Sequence, residues 1–188
     1  MNTNSSQKTI SSALVAKVGL TVLEVLALLG IGMIGVLMHA KFRIPLRLPG
    51  HQGVVYMALL VGGRLLSKKP YASSLSSVGA ALMLLFPLGF KDPFMPLIYL
   101  LPGFITDIGW RWIGSGHKRP NIWLLAVICG ISYMTIPLSR IIITTLTGFP
   151  YGSFINGFLW PTFTHLVFGF FGGLAGTALV RAFKRSGT

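Results

Sequence analysis

The sequence predicts an all-α integral membrane protein, with six transmembrane helices, both termini cytoplasmic, and a single membrane domain over residues 1–188. Three observations predict it. Hydrophobic residues make up 53% of the chain, only three side chains are acidic, and the sixteen Lys and Arg stand in short clusters between long apolar runs. A soluble nucleic-acid binder would gather its formal charge of +13 on one solvated face. The interrupted clusters instead mark membrane topology, and no nucleic-acid partner is expected.

Apolar runs that approach a hydrocarbon core of about 30 Å occupy roughly residues 18–38, 51–66, 72–89, 93–113, 121–146 and 158–183. The first follows the polar start "MNTNSSQKTISSALVAK" and is too long for a signal-peptide core, so it reads as a retained span. The second, "HQGVVYMALLVGGRLL", covers only about 24 Å at 1.5 Å per residue. It must borrow residues from its flanks or sit where neighbouring helices shield its ends. The third carries Ser73, Ser76, Ser77, Ala80 and Ala81 at spacings that let helices approach closely.

In the fourth run, "DPFMPLIYLLPGFITDIGW", Pro102 removes a backbone donor in mid-helix and predicts a kink. The fifth holds Cys129, the single cysteine, which excludes a disulfide framework and a thiolate metal cluster. The sixth, "THLVFGFFGGLAGTALV", overlaps two G-x-x-x-G pairs, 169 with 173 and 172 with 176, predicted to share one packed face. His165, four residues before Gly169, belongs on that face and points into protein.

Orientation follows from the basic residues at the span ends. With the N-terminus inside, the inner side collects Lys8, Lys17, Arg64, Lys68, Lys69, Arg111, Lys118, Arg119, Arg181, Lys184 and Arg185, against Lys41, Arg43, Arg47 and Lys91 outside. Three of those four outer charges stand in "HAKFRIPLRLPGH", residues 39–51, the first external loop. Such a concentration on the disfavoured side asks for a functional reason, and drawing an anionic ligand is one. A solvated loop that touches lipid headgroups is the other reading.

Ionisable residues within spans sort by depth. Arg140 and His165 fall in the outer half, with Gln52 and Tyr56 at the start of the second run and Tyr151, Asn156 and Trp160 in "YGSFINGFLW". Together with Arg43 and Arg47 these make a cationic, aromatic, hydrogen-bonding set suited to a small organic anion, its carboxylate engaged by Arg140. The plainer alternatives are that Arg140 snorkels to the interface and that His165 makes an interhelical hydrogen bond. Glu24 and Asp107 fall on the inner side, where Lys17, Arg64 and Arg111 are candidate ion-pair partners.

No enzyme is expected. The H-x-x-x-G-x-x-x-G start of the sixth run resembles the last core helix of rhomboid-type intramembrane serine proteases, but the fourth run contains no serine to serve as nucleophile. The four histidines, at 39, 51, 117 and 165, form no i, i+4 pair, and no H-E-x-x-H or G-x-x-x-x-G-K-[ST] motif is present. Neither a metal nor another cofactor is expected.

As a whole, residues 12–185 resemble the substrate-binding S components of energy-coupling factor (ECF) vitamin transporters. The resemblance rests on "IPLRLPG" followed by the short "VVYMALLVGGRLL" run, on "YLLPGFITDIG", and on "HLVFGFFGGLAG". It implies a multi-pass protein of a bacterial or archaeal plasma membrane that captures a vitamin-like compound from outside, with the first loop as a lid. It further implies a transmembrane coupling protein and two cytoplasmic ATPase subunits as partners, with Ser12 and Ala16 as the nearest match to the family's small-residue docking pattern. Asn2 stands where the metal-transporting members of the wider group carry histidine, so an organic ligand is favoured over a metal ion. The competing class is a structural or scaffold membrane protein of a cell-envelope assembly.

Overall fold

The computed structural model describes residues 3–41, 48–86, 92–114, 121–152 and 157–186, with side chains in the first helix described from residue 21 onward except at residue 39. Six helices follow in order: α1 (Thr3–Lys41), α2 (Gly53–Leu66), α3 (Ala72–Leu85), α4 (Met95–Gly114), α5 (Ile122–Thr147) and α6 (Leu159–Ser186). There is no strand among the described residues. Three helical segments are long and apolar enough to cross a membrane, Thr21–Met38 in α1, Ile122–Thr147 and Leu159–Ser186, while α2 and α3 are shorter apolar helices.

The helix starts and stops follow local chemistry. Asn121 accepts a hydrogen bond from the Trp123 amide (3.0 Å) and caps α5, which ends at Gly148 in the left-handed conformation (φ 71°). The Asp92 carboxylate accepts from the Phe94 amide (3.0 Å) just before α4. Helix α3 has no cap from its own residues. Its first amides, Ser73 N and Ser74 N, instead donate to Asp107 of α4 at 3.2 and 2.7 Å. A carboxylate there answers both the orphan donors and the positive end of the helix dipole.

Packing uses the small residues. A side chain at Gly32 of α1 would overlap the Ser76 carbonyl, and one at Gly79 of α3 would overlap the Leu29 carbonyl, so α1 and α3 cross backbone to backbone. On the other side of α3, Ser73 and Ser77 meet Gly103 of α4. The glycines of α6 serve two neighbours. Gly169 and Gly173 lie against Cys129 of α5, and Gly172 and Gly176 against Met57 and Ala58 of α2. The expectation of one shared face is thus corrected: residues 169 and 172 are about 300° apart around the helix, so the two pairs mark adjacent faces.

Helix α2, 14 residues long, is packed by α1, α3, α5 and α6. Its shortness is met by shielding, since Tyr56, Met57, Leu60 and Val61 are all buried. Around it Ile98, Leu125, Tyr133 and Ile136 complete the core.

Polar contacts define two ends. At the end where α6 finishes, Arg64 pairs with Asp107 (3.5 Å), donates to the Lys69 carbonyl (2.6 Å) and lies 4.6 Å over the Trp110 ring. Glu24 accepts from Ser67 Oγ (2.5 Å) and pairs with Lys69 (3.7 Å). The acids expected in an inner cluster are both ion-paired, Asp107 with Arg64 as anticipated and Glu24 with Lys69. At the opposite end lie residues 48–52, the start of α4, the end of α5 and the start of α6.

Candidate functional site

A cavity of about 280 Å³ opens at this second end. Its roof is the segment 48–52, and its walls are Tyr99 of α4, Tyr133, Ile136, Pro137 and Arg140 of α5, and Pro161 and His165 of α6. The volume lies at the lower edge of the ~300–1,000 Å³ typical of small-molecule sites.

The roof is fixed by three contacts. Gly50 takes a positive φ of 79°, which presses its backbone on the His165 ring: a Cβ there would stand 2.6 Å from Nδ1. The Gly53 amide donates back to the Gly50 carbonyl (2.8 Å), closing a turn into α2. His51 Nδ1 bonds the Leu48 carbonyl (2.6 Å), which makes Nδ1 the protonated nitrogen and leaves Nε2 as an acceptor in the neutral ring.

His165 supports the roof from below. It is buried, its Nδ1 donates to the Pro161 carbonyl one turn earlier (2.7 Å), and its ring stacks on Tyr133 at 4.9 Å and 24°. The inward direction expected from its register with Gly169 holds, while this hydrogen bond stays within α6.

Arg140 is the cation of the site among the described residues. Its guanidinium lies 5.3 Å over the Tyr151 ring, and the Tyr151 hydroxyl donates to Asp92 Oδ1 (3.1 Å). Partial burial, with the Asp92 carboxylate adding to it, pushes the Tyr151 phenol up to about 12, so it remains a donor. Asp92 also holds the Phe94 amide. Arg140 itself forms no salt bridge with a described residue, and its Nε is buried without a hydrogen-bond partner among them. Unanswered buried donors are costly.

The expected site residues divide accordingly. Gln52, Arg140 and His165 line one cavity. Tyr56 is corrected: one turn deeper in α2, its hydroxyl donates to the Tyr99 carbonyl (3.1 Å) and pairs with Ser77 Oγ (3.1 Å), so it buttresses the Tyr99 wall from beneath. Trp160 is also corrected. It stands five residues before His165, about 140° around the helix, and is 52% exposed on the outer surface of the bundle. Arg43, Arg47 and Asn156 lie outside the described residues, as do the side chains of Ser12 and Ala16.

The sequence reading missed Tyr99, Tyr133 and Pro137 as walls and Asp92 as the anchor of Tyr151. Pro137 was visible in "TIPLSR" as a residue without an amide hydrogen, so the Tyr133 carbonyl loses its helical donor. Among the described residues no group of three or more His, Cys, Asp or Glu is placed to hold a metal ion. No protein-family model, curated protein or solved structure matches this chain.

Proposed function

We propose that this chain is the substrate-binding subunit of an ECF-type importer and captures a small, vitamin-like organic anion in the cavity beneath residues 48–52. One observation carries the reading: a roofed cavity of small-molecule size holds a guanidinium without a counter-ion among the described residues. At the other end of the bundle the buried Arg64 and Asp107 pair with each other, and the partly exposed Glu24 pairs with Lys69. Such a difference suits a protein that leaves one charge for a ligand to complete.

In this reading the six helices span the membrane with both termini in the cytoplasm, as the excess of Lys and Arg toward the terminal end supports. The cavity then faces outward. Transport energy comes from separate ATPase subunits through a transmembrane coupling protein, with the early part of α1 around Ser12 and Ala16 as the docking face.

Purification of the full chain in mild detergent, followed by mass spectrometry of denatured extract, tests the binding role: a stoichiometric small acid is expected. Affinity purification from native membranes should recover an ATPase pair. Recovery only with cell-envelope synthesis proteins, and no small molecule, would replace this reading by that of a scaffold. Arg140→Ala should weaken the acid's binding by about tenfold or more, as expected for a charge-assisted hydrogen bond.

A further inference from the structure

The chemistry of the cavity wall narrows the ligand further, and this step rests on the binding role proposed above. Charge comes first. Among the described residues the cavity is lined by no Asp or Glu and by one guanidinium, and the nearby Asp92 is engaged by Tyr151 and the Phe94 amide. On that set, one guanidinium calls for one negative charge. A phosphate ester would bring close to two and leave one unbalanced.

Hydrogen-bond polarity comes next. Helix α5 carries a carbonyl without its usual helical donor, because Pro137 has no amide hydrogen to give Tyr133 four residues back. Both Tyr133 and Pro137 are lining residues of the cavity. A purely accepting ligand would leave that carbonyl unanswered, at the usual cost of a buried unsatisfied polar group.

Shape comes last. The remaining lining combines Tyr99 and Tyr133, both nearly fully buried, with Leu48, Ile136 and the prolines at 49, 137 and 161. A flat, rigid ring fits such walls with little loss of conformational freedom.

From these three features we infer that the cavity takes a planar ring compound bearing a single carboxylate and its own N–H or O–H donor, the carboxylate answering Arg140 and the donor end answering the carbonyl freed by Pro137. Carboxylate and donor are then read along one face of α5, about one helical turn apart.

Indole-3-acetate serves as the probe, since it is planar, monoanionic and carries one N–H. Its dissociation constant for the detergent-purified full chain, measured by calorimetry and by shift of the unfolding midpoint, should be about tenfold or more below those of indole-3-acetamide and 1-methylindole-3-acetate. In Arg140→Lys the preference for acid over amide should fall, while the penalty for N-methylation persists. That variant keeps a cation and controls for folding through its ligand-free midpoint.

Equal binding of acid and amide overturns the single-charge assignment, and equal binding of the N-methyl compound overturns the donor. No binding of any probe at roughly 10 mM overturns the ligand class. These outcomes are separable from failure of the importer reading. A co-purified neutral or donor-free ligand refutes the class alone, whereas loss of both ligand and ATPase partners refutes the importer.

Discussion

Replacing Gly50 by alanine tests the roof of the cavity without touching any charged group. The residue sits at φ 79°, and an added Cβ would lie 2.6 to 2.9 Å from three atoms of the His165 ring. The left-handed conformation costs a residue with a side chain about 1 kcal/mol or more. The ring must also retreat by several tenths of an ångström, which strains its 2.7 Å bond to Pro161 and its stacking on Tyr133. Weakening that bond and that stacking adds about another 1–2 kcal/mol. The closed position of residues 48–52 should therefore lose about 2–3 kcal/mol, or roughly 30- to 150-fold in its opening equilibrium.

Native-state hydrogen exchange resolved to single amides reads this directly, because the Gly53 amide is held by the Gly50 carbonyl at 2.8 Å. Its exchange should accelerate by that factor while amides in the middle of α5 and α6 change little. Gly148→Ala is the matched control: φ is 71°, but no atom lies within 4 Å of the added Cβ. It should cost about 1 kcal/mol at the end of α5 and leave the Gly53 amide unchanged. If Gly50→Ala accelerates the Gly53 amide no more than Gly148→Ala does, the docking of the roof on His165 is not what holds it closed.

Other perturbations have equally definite outcomes. Asp107→Ala leaves Arg64 without its ion-pair partner in a buried setting and strips the α3 amides of their acceptor. It should destabilise the protein by about 3–5 kcal/mol in detergent-mixture unfolding, whereas replacing Arg64 and Asp107 together by Met and Leu should recover only the part due to the unpaired Arg64, the α3 amides staying without their acceptor. Tyr151→Phe removes the bond to Asp92 but keeps a ring under Arg140, and should cost about 1 kcal/mol in unfolding free energy. Tyr151→Leu should cost about 0.5–2 kcal/mol more by deleting the cation–π contact. The Tyr151 phenol, raised to about 12, contributes stability that is complete below the ordinary tyrosine value and lost as pH rises toward the raised one. Alkaline absorbance titration of wild type minus Tyr151→Phe should place that phenol's midpoint well above about 10.

Much of the fold was legible because hydropathy and glycine spacing report length and contact. Five of the six apolar runs match the helices to within a few residues, and α1 begins earlier, at Thr3, through a polar stretch. Rotation about each helix axis was less legible. A helix apolar nearly all round carries little signal for its buried side, so Trp160 was assigned inward when it faces out, and Tyr133 was passed over. His165 was placed correctly because Gly169 supplied the missing phase. Tyr56 had the right face and the wrong depth, since the polar partners that hold it, Ser77 and Tyr99, lie on two other helices.

In the proposed membrane-spanning arrangement, the brevity of α2 has an electrical consequence. At 1.5 Å per residue its 14 residues rise about 21 Å, some 9 Å less than a hydrocarbon core of about 30 Å. If that deficit is shared between the two ends, an anion seated beside its first turn has crossed about one-sixth of the core. For a single charge this is worth roughly 0.4 kcal/mol at 100 mV, against about 2.3 kcal/mol for a full crossing. A membrane potential can thus bias occupancy of the cavity by only about twofold. In the proposed import role, moving the ligand the remaining distance calls for work from outside this chain.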